Sequence, residues 1–173
     1  MSVSIVLTVI GPDRPGLVES LASVVADHGG NWEEGRMAHL DGHFAGLLRV
    51  VVDDAQRAAL ETDLASLSGL SVTSTTSAPV EEKEAGPLYS LSVLGQDREG
   101  IVLDVSRALA QHGVNVEELN SACESAPMSG ETLFRATASV RLPAVASADA
   151  LRDELQAIGD DLMVDVSLSP LEP

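Results

Sequence analysis

The sequence is poor in the residues that fill most protein interiors and in those that bind most charged polymers. Aromatic residues make up 2% of its 173 positions, so a core has to be assembled from Val, Leu, Ile and Ala. Basic residues number 10 against 27 acidic ones, a formal charge of −17. Nucleic-acid backbones and anionic membrane surfaces are held by clusters of Lys and Arg. The chain has no such cluster, which argues against both partners. Cys123 is the only cysteine, so an intramolecular disulfide and a multi-cysteine zinc site are excluded. It reads as a small buried hydrophobe or a half-exposed strand residue. No apolar run nears the roughly 20 residues that span a bilayer. The opening MSVSIVLTVIGPDRPG has no basic flank and no small-residue cleavage site, and reads as a strand entering a turn rather than a signal peptide. A cytoplasmic protein is the expectation. The remaining composition, 45% apolar and 21% charged, suffices for a buried core.

The chain repeats itself once. GPDRPG at Gly11 returns as GQDREG at Gly95, and the same gap-free offset aligns His28–Glu34 with His112–Glu118. Thirteen of the 30 positions from Ile5 to Glu34 are identical in the second copy. Two copies of one module are therefore expected, at 1–77 and 87–170. The charged, Gly/Pro-punctuated segment 78–86 reads as a linker.

Both copies carry the same sequence of periodicities. Ile5, Leu7 and Val9 alternate with less apolar neighbours, as do Tyr89, Leu91 and Val93, which predicts half-buried strands. Leu17, Leu21, Val24 and Val25, then Ile101, Val105, Ala108 and Leu109, recur at helical spacing. Pro15 near the helix start and Gly29 or Gly113 past its end are the usual helix punctuation. Asp41-Gly42 between apolar stretches predicts a tight hairpin, and 124–130 predicts a longer tip in the second copy. Leu60, Leu64 and Leu67 match Leu151, Leu155 and Ile158 on a second helix. Leu70 and Val72 match Leu162, Val164, Val166 and Leu168 on a last strand. The fold class is α+β: two ferredoxin-like βαββαβ modules, each an antiparallel four-stranded sheet with both helices on one face. Joining the modules side by side would protect the strand edges.

The duplicated turn between first strand and first helix is the chemical focus. Backbone N–H groups at a helix N-terminus can hold a small carboxylate. Asp13 and Asp97 can cap the helix, the simpler role, or face an α-amino group. Arg14 and Arg98 can pair with a carboxylate or bridge to a nearby Glu. Asn31 and Asn115 can tolerate a left-handed turn after the helix or bond a ligand head group. His28 and His112 read as helix C-terminal residues favoured by the dipole. His39 and His43 flank a turn without further ligands, a poor metal set. Trp32 and Phe44 read as packing residues. No Ser–His–Asp order, P-loop or dinucleotide fingerprint is present, and the duplicated motifs hold no nucleophile.

DRPGLVESLASVVADHGGNWEE and DREGIVLDVSRALAQHGVNVEE resemble the signature of the ACT domain, D-x-x-G plus an apolar residue, with the helix ending in G-x-N. Two such domains in tandem resemble the glycine cleavage system transcriptional repressor family. The longer second hairpin and the closing strand are similar to that group. The resemblance implies a non-enzymatic amino-acid sensor whose ligand, glycine or serine-like, sits between two ACT units. It nominates Gly11, Asp13, Arg14, Gly16, Leu17 and Asn31, with Gly95, Asp97, Arg98, Gly100, Ile101 and Asn115. It implies action through a protein partner that binds DNA; a metabolic enzyme as the partner stays open. No cofactor and no metal are expected, and modules this small are expected to form a homo-oligomer. A ligand-independent dimerisation module is the alternative. Glu99 stands where the first copy has Pro15, so the second turn is less rigid and its ligand preference can differ.

Overall fold

The computed structural model describes residues 1–77, 86–125 and 130–171. The chain divides into two compact units, Met1–Val80 and Glu81–Pro173. The first contains β1 (Ser2–Pro12), α1 (Leu17–Asp27), β2 (Asn31–Leu40), β3 (His43–Asp53), α2 (Asp54–Ala65) and β4 (Ser71–Thr76). The second repeats that order as β5 (Leu88–Gln96), α3 (Ile101–Gln111), β6 (Asn115–Ser125), β7 (Thr132–Arg141), α4 (Ala148–Leu162) and β8 (Val164–Pro170). Each forms one four-stranded sheet, ordered β2-β3-β1-β4 and β6-β7-β5-β8. Every pairing is antiparallel. These are two ferredoxin-like modules with the predicted topology.

Alternation decides which sheet face meets the helices. Ile5, Leu7 and Val9 of β1 are buried with Leu17, Leu21 and Val25 of α1 and Leu60 and Leu64 of α2. Leu91 and Val93 of β5 join Ile101, Val105 and Leu109 of α3 and Leu151 and Leu155 of α4. Trp32 and Phe44 pack against the first core, as expected of them. Asp53 caps α2 by accepting from the Ala55 N–H at 3.0 Å, and Ser147 caps α4 by accepting from Ala150. Asp41 (φ 47°) and Gly42 (φ 74°) form the tight β2–β3 turn in the doubly left-handed conformation favoured by Asp-Gly. Among the described residues, no helix is long and apolar enough to cross a membrane.

Several boundaries differ from the sequence reading. Leu70 precedes β4 and Leu162 ends α4, because a left-handed residue breaks the chain before each strand: Gly69 two positions before β4 and Met163 one position before β8. Glu124 and Ser125 are still paired in β6, opposite Leu133 and Thr132, so the hairpin tip is shorter than 124–130. Its residues 126–129, like linker residues 78–85, lie outside those described. Gly86 is buried: a Cβ there would lie 1.8 Å from the Leu142 carbonyl oxygen, so it packs with the second unit.

Gly11 and Gly95 show why the penultimate residue of each first strand must be glycine. A Cβ on Gly11 would come within 2.1 Å of the Gly69 carbonyl oxygen, and one on Gly95 within 2.8 Å of Val164 Cα. Both are backbone atoms of the connection into the module's last strand, so a flexible side chain cannot simply move aside. Gly11→Ala should cost about 3 kcal/mol through overpacking. Gly42→Ala, where no atom lies within 4 Å but φ is 74°, should cost about 1–2 kcal/mol from backbone strain alone. Urea unfolding of the two variants checks the order; equal losses would show that close approach does not matter at Gly11.

Candidate functional site

Each first-strand turn is tied to two neighbours. The Asp13 N–H donates to the Gly42 carbonyl at 2.8 Å, and Asp97 N–H to the Thr132 carbonyl at 2.9 Å, so the turn rests on the tip region of the following hairpin. The helix caps are Gly16 (φ 88°) and Gly100 (φ 96°), left-handed and without a side-chain hydrogen bond. Asp13 and Asp97 therefore do not cap their helices, contrary to the simpler expectation. The ordinary cap residue is extended and uses its own side chain; here a left-handed glycine occupies that place three residues after the aspartate. The first intrahelical bonds run from Ser20 N–H to the Gly16 carbonyl and from Asp104 N–H to the Gly100 carbonyl. The preceding amides of each first turn have no helical acceptor. Leu17 and Ile101 are 3% and 2% exposed, core residues whose side chains face away from solvent.

The two aspartates face different partners at equivalent positions. Asp13 Oδ2 lies 3.7 Å from His39 Nε2, both side chains being largely exposed. At the same offset, Asp97 faces the exposed Cys123. Desolvation first, then the charge of Asp97 and a hydrogen bond with it, hold the Cys123 thiol above its ordinary pKa. Cys123 is thus an exposed strand residue, not a buried one. His43 Nδ1 lies 3.1 Å from the Asp41 carbonyl, so the two histidines flanking the tip turn to different neighbours.

The arginines reach the other way. Arg14 Nη2 donates to the Ser68 carbonyl at 2.5 Å, and its guanidinium lies over Gly69. Arg98 Nη2 approaches the Met163 sulfur at 3.8 Å. Strand register makes Gly69 and Met163 equivalent: Ile10 pairs Ser71 and Leu94 pairs Asp165. Both are left-handed, with φ of 78° and 55°. Neither arginine bridges to a glutamate among the described residues. Sequence reading missed Ser68, Gly69 and Met163 because they lie far along the chain; the Ser-Gly pair was a visible turn signal.

Asn31 and Asn115 are placed elsewhere. Each is the first residue of its strand, exposed, and not left-handed; Gly29 and Gly113 take the positive φ instead. Neither side chain has a hydrogen-bond partner among the described residues. Asn31 pairs Val51, which pairs Ser4, whereas the turn begins after Pro12, opposite His43. Those eight strand positions correspond to about 26 Å at roughly 3.3 Å per residue. The second module repeats this: Asn115 shares a register row with Leu88, and the turn follows Gln96. Within one module, the Asp–Arg turn and the Asn lie at opposite ends of the sheet.

His28 and His112 end α1 and α3 as the sequence predicts. Each also ties its helix to the second one, His28 Nε2 to Asp63 at 3.2 Å and His112 Nε2 to Glu154 at 2.7 Å. They are structural links between helices, remote from the turns.

The ACT domain family model matches residues 4–75. A UPF0237 protein of Methanopyrus kandleri is 37% identical over 81 residues, covering 44% of this chain and 79% of that protein. Among solved structures, an unknown protein from Galdieria sulphuraria is 30% identical with a TM-score of 0.86, covering 99% of this chain and 100% of that one. A protein described provisionally as a glycine cleavage system transcriptional repressor shares the fold at 20% identity and a TM-score of 0.73, with 100% and 99% covered. Both likenesses extend over the whole chain and so include both modules.

The Asp97–Cys123 contact can be tested by alkylation. A raised thiol pKa leaves less thiolate at pH 8, and Asp97→Asn removes the charge that helps to raise it. The rate of iodoacetamide labelling at pH 8 should rise several-fold in Asp97→Asn, and its pH profile should move to lower pH. An unchanged profile would show that the carboxylate does not act on the thiol.

Proposed function

Because the chain belongs to the ACT domain family, we propose that it is a non-enzymatic regulator that responds to a small amino acid and acts through a protein partner. The observation that carries this reading is the separation of the turn from the Asn within each module. An amino acid using both must lie between the turn of one module and the Asn end of another. Its carboxylate would meet Arg14 or Arg98 and the free first-turn amides, and its amino group Asp13 or Asp97. Asn31 or Asn115 of the second contributor would complete the head-group contacts. Ligand binding and module pairing are then one linked equilibrium.

Several features support a regulator over a catalyst. The thiol of Cys123, which faces Asp97 of the second turn, has a pKa raised rather than lowered, the opposite of an activated nucleophile. The charge of −17 favours control through a partner, such as a DNA-binding protein, over contact with DNA. Modules of this size are marginal alone, which supports association into a homo-oligomer. The fold likeness to the provisionally described glycine cleavage repressor makes glycine, with serine beside it, the first ligand to test. A coupling of 2–3 kcal/mol between ligand and pairing would change partner affinity roughly 30- to 150-fold.

Calorimetry on ligand-stripped protein against glycine, serine and the other common amino acids is the deciding measurement. Saturable heat is expected with at least one. Replacing both Arg14 and Arg98 with Ala should weaken it about 10- to 100-fold, the worth of a charge-assisted hydrogen bond of about 1.5–3 kcal/mol. Neither heat nor a thermal shift with any amino acid would refute the sensor reading.

A further inference from the structure

In the second module, sulfur atoms meet both charged side chains of the turn. Asp97 faces Cys123, and Arg98 Nη2 lies 3.8 Å from the Met163 sulfur. The first module has His39 and Gly69 at those places. The exchange changes how firmly each arginine is held. Arg14 donates to the Ser68 carbonyl oxygen at 2.5 Å, a strong charge-assisted bond. A thioether sulfur is only a weak acceptor, so Arg98 rests on a partner that competes poorly for it. The backbone of Met163 is equally distinctive. It caps the end of α4 in the left-handed conformation, φ 55° and ψ 44°, where glycine is the common residue and the first module has Gly69. Met163 is 64% exposed. Of the other described methionines, Met37 packs on the first core and Met1 is the first residue of the sequence.

We propose that Met163 is a modification site: a hydroperoxide oxidises its thioether to the sulfoxide, and the new oxygen holds Arg98. With hydrogen peroxide, a sulfur lone pair attacks one peroxide oxygen, forming the sulfur–oxygen bond as the oxygen–oxygen bond breaks. The proton on the transferred oxygen passes to the departing hydroxide, which leaves as water. The sulfur gives up two electrons and the peroxide takes both. The product is polar, and its oxygen offers the guanidinium a strong acceptor where it had a weak one. Three observations select this sulfur. Met163 is exposed, so a small peroxide can reach it. Its thioether reacts without ionising, whereas Cys123 reacts as the thiolate, and desolvation and the charge of Asp97 hold that thiol above its ordinary pKa. The side chain in contact is the cation of the turn itself. The modification stands on this contact; its effect on ligand rests on the amino-acid-sensor reading above. Under that reading a ligand carboxylate competes with the sulfoxide for Arg98, and the oxidised second turn binds amino acid more weakly. The first turn has Gly69 in that place, which offers no sulfur to oxidise.

The test treats the full chain, carrying Cys123→Ser, with hydrogen peroxide. Peptide mass spectrometry follows Met163 oxidation and the rates at which phenylglyoxal labels Arg98 and Arg14. Met163 should oxidise ahead of Met37. Its conversion should slow Arg98 labelling about three- to tenfold, the step from a weak sulfur acceptor to a charge-assisted hydrogen bond. Arg14 labelling should not change. Met163→Gly, which writes in the first module's residue, should abolish the peroxide effect; Met163→Leu replaces it if the glycine variant fails to fold by circular dichroism. Met163→Gln, whose amide oxygen stands in for the sulfoxide, should slow Arg98 labelling without peroxide. Met163 left intact while Met37 oxidises, an Arg98 rate that full Met163 oxidation leaves unaltered, or slowing that persists without the methionine overturns the proposal. Calorimetry with glycine and serine on Arg14→Ala protein, before and after peroxide, reads the effect on ligand. Weaker binding after oxidation is expected, and unaltered binding overturns that effect. No binding in either state refutes the sensor reading at this turn, while the Arg98 labelling still decides the modification site.

Discussion

The backbone entering each module's last strand comes so close to the penultimate glycine of the first strand that no side chain fits between them. This contact, Gly69 carbonyl against Gly11 and Val164 against Gly95, organises the turn end of each module. It fixes where the connection into β4 or β8 crosses the first strand. It places the left-handed residue, Gly69 or Met163, under the arginine that follows. Arg14 and Arg98 then reach toward that connection, while the aspartates remain beside the hairpin. A larger residue at Gly11 would disturb the turn, the cap and the last strand together. The geometry of each turn is thus set by backbone packing.

On this shared frame the two copies have diverged chemically. The first aspartate faces a histidine, the second a thiol. The first arginine lies over a glycine; the second touches the sulfur of Met163, a non-glycine residue at φ 55° that is 64% exposed. Such a backbone state costs about 1–2 kcal/mol per residue, so the methionine is retained against a conformational penalty. Trp32 of β2 packs on the first core, and its counterpart Val116 is exposed. A duplication whose copies were equivalent would not change the residues around the turn while keeping Asp, Arg and both cap glycines.

Much of the fold was legible because its causes are local. Alternation in Ile5-Leu7-Val9, the stripe of Ile101-Val105-Leu109 and the Asp41-Gly42 turn each name an element, and the repeat supplies a second instance of the strand and of the helix. The candidate site was less legible because its contacts are not local. Arg14 finds its acceptor 54 residues away, and Asp97 meets Cys123 across a hairpin. The aspartates looked like caps because capping preference assumes an extended cap residue, and the left-handed Gly16 and Gly100 break that assumption. The asparagines looked like neighbours of the turn because only a helix separates them in sequence. Antiparallel register, with Asn31 level with Ser4 and the turn beyond Pro12, puts them at the far end.

That separation gives the duplication a physical rationale. Under the proposed reading, a ligand that needs both features would tie occupancy to association, and the coupling would be reciprocal: whatever favours pairing raises ligand affinity by the same factor that ligand raises pairing. Charge acts on the same balance. Two copies of a chain at −17 repel each other, and the repulsion fades beyond about 8 Å at physiological ionic strength, so it acts mainly on surfaces already near contact. It weakens association without ligand and leaves the first strand's packing untouched. A small ligand needs to supply only the differential free energy between the paired and unpaired arrangements to move the population. Under the proposed reading, the acidic surface that argues against nucleic acid also opposes association, and a ligand shared between modules would work against that repulsion.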